Sequence, residues 1–488
     1  MLYIGIDLGT SAVKLLLMQE DGKVEKTVSK EYALSFPQPE WSEQDPKDWW
    51  EQSIAGLKEL TADCDRSLIR GISFGGQMHG LVMLDEKDAV IRPAILWNDG
   101  RTTEEIHYLN DVIGREKLSS YTGNIAFAGF TAPKLLWVKK NEPEHFARIK
   151  KIMLPKDYLA YRLTGVHSTD YSDASGMLLL DVEKKCWSKE MLTICDVKEE
   201  WLPKLYESWE PIGCLRPEIA EELDFPKNCL VAAGAGDNAA AAVGTGCVGA
   251  GKCNLSLGTS GTVFLTRETF GVDAHNALHS FAHADGNYHL MGCMLSAASC
   301  NKWWMEEILQ TKDFGAEQER LGRLGENHVY FLPYLMGERS PHNDPLAKAA
   351  FIGMSMDTTR GEMLQAVFEG VAFALRDSIE VARKLGAAPK RTTICGGGAK
   401  SALWREIVAN VLNMPVDTAE VEEGPAYGGA ILAAVADGVY ENVEEAANRI
   451  VRRKDTTMPN RELVEKYEAA YRKFVQLYPA LKDVYQRL

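Results

Sequence analysis

Two stretches of the chain carry the same tight polar turn, Leu-Gly-Thr-Ser, at Leu8–Ser11 and Leu257–Ser260, each between apolar runs of strand character. Such a turn offers backbone N–H groups and hydroxyls of the kind a phosphate needs. Around the turns, Gly5–Met18 and Asn254–Leu265 align without a gap, and a duplicated domain is the simplest cause. The copies differ at one acidic position, Asp7 in the first against Ser256 in the second. A single metal-holding carboxylate between two phosphate turns would account for that difference. Further on, Cys229–Val243 reads as a buried strand, a glycine turn and a small-residue helix, which sets Asp237 and Asn238 at a strand end facing a cleft. Asp237 can serve there as a general base, with Asn238 orienting a hydroxyl; the competing reading is a plain helix cap. The loop Gly396–Gly398 lies between a strand and a helix, where glycines let a backbone approach a ligand closely. Donors, one metal-binding carboxylate and a base are the parts needed to move a γ-phosphoryl group from a nucleotide to an alcohol.

The elements that must position these groups alternate between strand and helix. After the first hairpin comes a strand near Lys23–Leu34, then a helix begun by Asp45 and Pro46 and running to about Ala62. The strand Ile69–Phe74 lifts the polar loop Gly75-Gly-Gln77-Met78-His79-Gly80 off its end, the usual place for a small ligand in an α/β fold. Ala94–Arg101 repeats the design, with Trp97 as an apolar wall beside Asn98, Asp99 and Arg101. For Trp97 a buried core tryptophan is an equal alternative. Thr131–Leu163 is helical in period, closed by Gly165, and Thr169–Gly176 is a polar loop without an evident purpose. A long helix is expected from about Thr359 to Leu385, and Asn442–Leu488 reads as a charged, solvated helical layer.

At 488 residues and 45% hydrophobic, the chain is too long for one core and suits two large domains. The expected division is 1–245, 246–440 and a helical extension 441–488. With 54 Lys and Arg against 69 Asp and Glu, the formal charge is −15 and no basic tract is present, so nucleic acid is an unfavoured partner. No apolar run approaches the ~20 residues that span a bilayer, so no membrane partner is expected and a cytoplasmic location is. Ten cysteines lie scattered without a C-x-x-C pair, which argues for reduced, buried thiols; Cys253 and Cys395 sit beside glycine loops and are the two to watch for reactivity.

Taken together, Ile6-Asp-Leu-Gly-Thr-Ser11, Trp41–Pro46, Gly76–Gly80, Ala94–Arg101, Phe130–Trp137, Leu154-Pro-Lys-Asp-Tyr158, Gly236-Asp-Asn238, Leu257–Gly261 and Gly337–His342 resemble the FGGY carbohydrate kinases, within the actin, hexokinase and Hsp70 superfamily. The resemblance extends over essentially the whole chain to about Gly438. It implies two ribonuclease-H-like α/β domains with an interdomain catalytic cleft, ATP and Mg²⁺, and Asp237 as base with Asp7 serving the metal. It implies Thr10, Ser11, Gly258, Thr259, Gly397 and Gly398 at the nucleotide. The sugar would meet Gln77, Met78, His79, Asp237 and Asn238, with Trp97 as a wall. Related glycerol kinases carry an arginine and a glutamate where Met78 and His79 stand, which disfavours glycerol and makes D-xylulose the expected sugar. Another ketose or polyol is the nearest alternative. A non-transferring ATPase of the same fold would need a client domain or a basic helix-turn-helix, and the sequence shows neither. A homodimer is left open.

Overall fold

The computed structural model describes residues 1–488. Its first sheet grows from the apolar run at the N-terminus: β1 (Leu2–Leu8), β2 (Ala12–Gln19) and β3 (Val24–Glu31) form an antiparallel meander. Helix α1 (Pro46–Leu60) starts as its sequence dictates, with the Asp45 carboxylate accepting the Lys47 N–H at 2.9 Å. β4 (Ile69–Gly76) pairs parallel to β1 and sets Asp7 opposite Gly75. Helix α2 (Pro155–Thr164) follows, then β5 (Pro211–Cys214), β6 (Leu230–Ala232) and helix α3 (Asp237–Gly244). The strand order is β5-β6-β4-β1-β2-β3.

The second sheet contains β7 (Cys253–Leu257), β8 (Gly261–Arg267), β9 (His279–Ala282) and β10 (Tyr288–Met294). Helix α4 (Arg360–Lys384) then runs through the core of this half, opened by a capping box between Thr359 and Glu362. β11 (Thr392–Cys395), β12 (Val416–Ala419), helix α5 (Gly424–Ala436) and β13 (Arg453–Thr457) follow. The order here is β9-β10-β8-β7-β11-β12-β13. In each sheet a hairpin is extended by a third antiparallel strand on one side and by two parallel strands on the other. The repeated Leu-Gly-Thr-Ser turns thus occupy equivalent hairpin tips.

Helices α3 and α5 pack on each other, and α5 crosses from the second half to lie on β1 and β4. The approach is backbone to backbone. A methyl added at Gly5 would stand 1.8 Å from the Ala426 carbonyl oxygen, one at Gly428 1.9 Å from that of Ala240, and one at Gly244 2.2 Å from that of Gly424.

Three expectations are corrected. The stretch Thr131–Leu163 is broken by Pro143 and Pro155 into Thr131–Asn141, Pro143–Arg148 and α2, with the short strand Lys151–Met153 between the last two. The C-terminal region is more than a solvated helical layer: β13 completes the second sheet, and Tyr467, Tyr471 and Phe474 of α6 (Arg461–Phe474) enter its core. The thiols of Cys253 and Cys395 are pushed up by burial, Cys253 to about 12, which removes the case for reactivity.

Gly428→Ala should lower the melting temperature without changing secondary structure, because overpacking at a contact this close costs about 1–3 kcal/mol or more. Thermal unfolding followed by circular dichroism measures this, and an unchanged midpoint would show that α3 and α5 can separate freely.

Candidate active site

The first hairpin tip is held from three sides. Gly9 N–H closes the turn on the Ala12 carbonyl at 3.0 Å, the Tyr32 hydroxyl donates to the Gly9 carbonyl, and Gln44 Nε2 donates to the Thr10 carbonyl at 2.6 Å. Trp97 Nε1 donates to Thr10 Oγ1 at 2.9 Å. Trp97 is 46% exposed, so the buried-core reading fails; its indole borders the first hairpin tip. Its neighbours Asp99 and Arg101 are buried and committed to each other at 2.7 Å and, through Arg101, to Glu43 at 2.7 Å. Those two side chains are therefore structural rather than free to contact a sugar.

The second tip is tied down by the chain that follows β10: Gly258 and Thr259 carbonyls accept the Ala298 and Ala297 N–H groups at 2.8 and 2.9 Å. Gly396, at φ +90°, rests on the Leu257–Gly258 peptide, where a methyl would meet the Leu257 carbonyl carbon at 2.8 Å. Gly397 faces open space, whereas Gly398 is buried under Leu257 and Trp404 and acts as packing. Between the halves lies a cleft of about 740 Å³, lined by Asp237, Asn238, Ser256, Gly396 and Gly397 among others. Thr10, Ser11, Gly258 and Thr259 lie outside its lining.

Asp237 is the first residue of α3, and Gly236 takes the cap position, so the cap reading does not hold. Both of its hydrogen bonds fall on Oδ1, from Asn238 N at 2.6 Å and Asn238 Nδ2 at 2.9 Å. Its depth in the cleft pushes its carboxyl up to about 6. Asp7, at the end of β1, is pushed up to about 7, first by burial and then by the charge of Asp237, with Lys14 opposing.

In the loop after β4, Gln77 is buried and points back, bonding Gln44 Oε1 through Nε2 at 3.3 Å; it links this loop to the Thr10 turn rather than facing the cleft. Met78 packs over Gly236, where a methyl would lie 2.9 Å from its sulfur. His79 adopts φ +71°, with its carbonyl accepting from Thr131 Oγ1 and Lys134 Nζ, each at 3.0 Å. Its Nδ1 lies 2.9 Å from the Gly176 carbonyl. A carbonyl only accepts, so Nδ1 carries the proton and a neutral ring leaves Nε2 as an acceptor. Burial and the Lys134 ammonium push the imidazole down to about 3, which keeps it neutral.

The halves match the FGGY family of carbohydrate kinases: the N-terminal domain over residues 2–244 and the C-terminal domain over 253–436. The xylulose kinase of Escherichia coli (strain K12) is 41% identical over 484 residues, 98% of this chain and 99% of its own. The crystal structure of a xyloylose kinase from Brucella ovis superposes with a TM-score of 0.94 at 39% identity, covering 99% of this chain and 100% of its own. A gluconate kinase from Lactobacillus acidophilus reaches 0.95 at 26% identity with full coverage of both chains.

The chain belongs to the FGGY family of carbohydrate kinases.

This FGGY kinase also uses residues whose role the sequence did not disclose. The Asp170–Gly176 segment, expected as a loop of no evident purpose, is folded into short helical turns and mostly buried. Its Gly176 has no room for a side chain, since a methyl would stand 2.3 Å from the His79 ring. Asp170 and Asp173, three positions apart, were the available signal, but Lys156 joins them only in the fold and charge in sequence does not say which charges are buried. Lys134, inside the Phe130–Trp137 motif, is fully buried as well, and burial pushes its ammonium down to about 7.

The His79 ring should stay neutral from pH 8 to pH 5 in the empty protein. Because its folded value lies below the ordinary 6.5, protonation opposes folding and the associated stability is lost only as pH falls below that ordinary value. Long-range ¹⁵N–¹H correlations of the imidazole would show Nδ1 protonated and Nε2 bare throughout; protonation above pH 5 would refute the assignment.

Proposed function

We propose that this kinase transfers the γ-phosphoryl group of ATP to D-xylulose, giving D-xylulose 5-phosphate and ADP, with Asp237 as general base. The fold does not select the sugar, because a gluconate kinase superposes as well as the xylulose kinases do. What carries the sugar assignment is likeness to enzymes named xylulose kinase along almost the entire chain, at 41% identity in one case. The site is compatible with it. Met78 abuts the Gly236 peptide, so the loop that would read the sugar touches the element that would deprotonate it. The Nε2 of neutral His79 can accept a sugar hydroxyl, and Asn238 can donate to another.

Phosphoryl transfer is served mainly by placement and charge. The hairpin tips with Thr10, Ser11 and Thr259, and the open Gly397 backbone, would hold the phosphates. Asp237 takes the proton of the attacking hydroxyl; at about 6 it is ionised near neutrality and still basic enough to accept. Asp7 fits Mg²⁺: its hard oxygens sit in a desolvated place whose second carboxylate already disfavours its ionisation, and this metal takes few protein ligands beside substrate phosphates and water. When bound there, Mg²⁺ would neutralise charge on the β- and γ-phosphates. All ten cysteines are free and no helix is long and apolar enough to cross a membrane, and a reducing cytoplasmic setting is proposed on the thiols.

Initial rates with a panel of pentuloses, gluconate and glycerol test the sugar; ADP release stimulated by D-xylulose above the rest is expected, and sugar-independent turnover would overturn the reading. Asp237→Asn should cost ~10²–10⁴ in turnover while D-xylulose still binds calorimetrically. In the parent enzyme kcat/KM for the sugar should fall below about pH 6, since protonating Asp237 removes the base.

Asp7→Asn separates metal binding from folding. A carboxyl whose folded value lies above its ordinary one loses stability as pH rises between the two, so the neutral amide should leave the empty protein as stable or more stable at pH 8. Mg²⁺-dependent turnover should fall by orders of magnitude. A lowered melting temperature with normal turnover would make Asp7 a structural brace.

A further inference from the structure

One buried polar network lies outside the chemistry described above and ends at it. Lys156, at the start of α2, has no exposed surface, and its ammonium is surrounded by Asp157 at 2.7 Å, Asp170 at 2.9 Å and Asp173 at 3.6 Å. Burial works against its charge, but the three carboxylates prevail and hold it protonated. Buried charges at these separations are expensive to desolvate, and removing one partner strands the rest, so Lys156 anchors the segment even though both Asp173 oxygens lack a hydrogen-bond partner. From that anchor the bonds run outward. Asp170 Oδ2 accepts the Ser172 hydroxyl at 2.5 Å and the Ser208 hydroxyl at 2.8 Å. Ser172 Oγ, its proton given to Asp170, accepts the Gly236 N–H at 3.1 Å.

Gly236 is the residue before Asp237. On one side it is paired to Gly76 of β4; on the other the Ser172 hydroxyl is its tether. The same segment fixes His79 through the Gly176 carbonyl and reaches the other half through Ser175 Oγ, which accepts the Ala282 N–H of β9 at 3.0 Å. The Ala235–Gly236 peptide, immediately before the residue that carries the Asp237 carboxylate, is thus held by a hydroxyl whose direction is set by a buried ion pair.

We propose that Ser172, held by the Lys156–Asp170 pair, is a positioning residue that fixes the Ala235–Gly236 peptide at the start of α3 and so aims Asp237, the next residue, at the sugar hydroxyl. The inference rests on Asp237 being the general base. A small error in aim at a proton-transfer distance is enough to slow the reaction, without any change in nucleotide binding.

The experiment is a double-mutant cycle of Ser172→Ala and Asp237→Asn, read as kcat and KM for D-xylulose and for ATP, with melting temperature alongside. Ser172→Ala should lower kcat about tenfold with KM for ATP unchanged, and Ser172→Thr, which keeps the hydroxyl, should recover most of the loss. In the Asp237→Asn background Ser172→Ala should cost nothing further, because no base remains to be aimed. Normal kcat in Ser172→Ala, or the same tenfold loss in both backgrounds, overturns the proposal. If Asp237→Asn itself turns over normally, the base assignment fails first, and the cycle shows which of the two has failed. Should Ser172→Ala fold poorly, Ser208→Ala loosens Asp170 without stranding the Gly236 N–H; it should show the same pattern at about two- to threefold, and an unchanged kcat there overturns the proposal.

Discussion

The close contact of α5 with α3 and with β1 is the constraint on which the rest depends. Side chains would hold these elements roughly 8–10 Å apart, as in ordinary helix packing. Glycine at Gly5, Gly244 and Gly428 lets carbonyl oxygens approach where a methyl could not stand. The consequence is geometric: the junction between the halves is thin, so the start of α3 and the Gly396–Gly397 loop border one space, with the end of β1 close behind Asp237. Asp7 and Asp237 come from positions far apart in the chain, yet each alters the electrostatics of that space because the helices carrying the halves touch.

That proximity has a cost the site puts to use. Asp7 and Asp237, both desolvated, are each harder to ionise than in water, Asp7 the more so because Asp237 is near. The empty site is therefore electrostatically unfavourable in the form catalysis needs. In the proposed roles, a divalent cation with a nucleotide would remove that penalty for Asp7, and the proton of the attacking alcohol would remove it for Asp237. The two groups are separated in role by environment: Asp237 keeps Asn238 as donor on one oxygen, while Asp7 has Lys14 as its counter-charge at a distance.

How much of this was legible in sequence follows from the kind of signal each part gives. Hairpins, α1 and α4 were legible because caps and apolar periodicity are local, and Thr359 and Glu362 mark the start of α4 within four residues. The turns at Leu8–Ser11 and Leu257–Ser260 and the helix start at Asp237 were legible for the same reason. Gln77 was placed beside the sugar by its strand-end loop and the family resemblance, and Trp97 by residue type. The direction of Gln77 is decided by Gln44 and that of Trp97 by Thr10, contacts across 33 and 87 residues that no local pattern encodes. The C-terminal region was misjudged because its charged residues line one face of α6 while Tyr467, Tyr471 and Phe474 occupy the other.

The buried lysines show the limit most clearly. Lys134 and Lys156 lie in motifs that resemble the family's, yet in sequence a lysine is by default a solvated charge. In the fold neither touches solvent, and each holds a backbone that touches the site: Lys134 the carbonyl of His79, Lys156 the segment behind Gly236. A neutral lysine would suffice to donate to a carbonyl, and the Lys134 value near neutrality is consistent with that lesser need; Lys156, between three carboxylates, must stay charged. The two differ because a carbonyl asks for a donor whereas carboxylates ask for a cation. By that reasoning the loop facing the sugar can be altered with the fold intact, while the element behind the base cannot lose its cation without unbalancing buried charge. Sugar choice is thus free to vary within this fold, as the superposition with a gluconate kinase indicates, while the backbone before Asp237 is held by buried electrostatics.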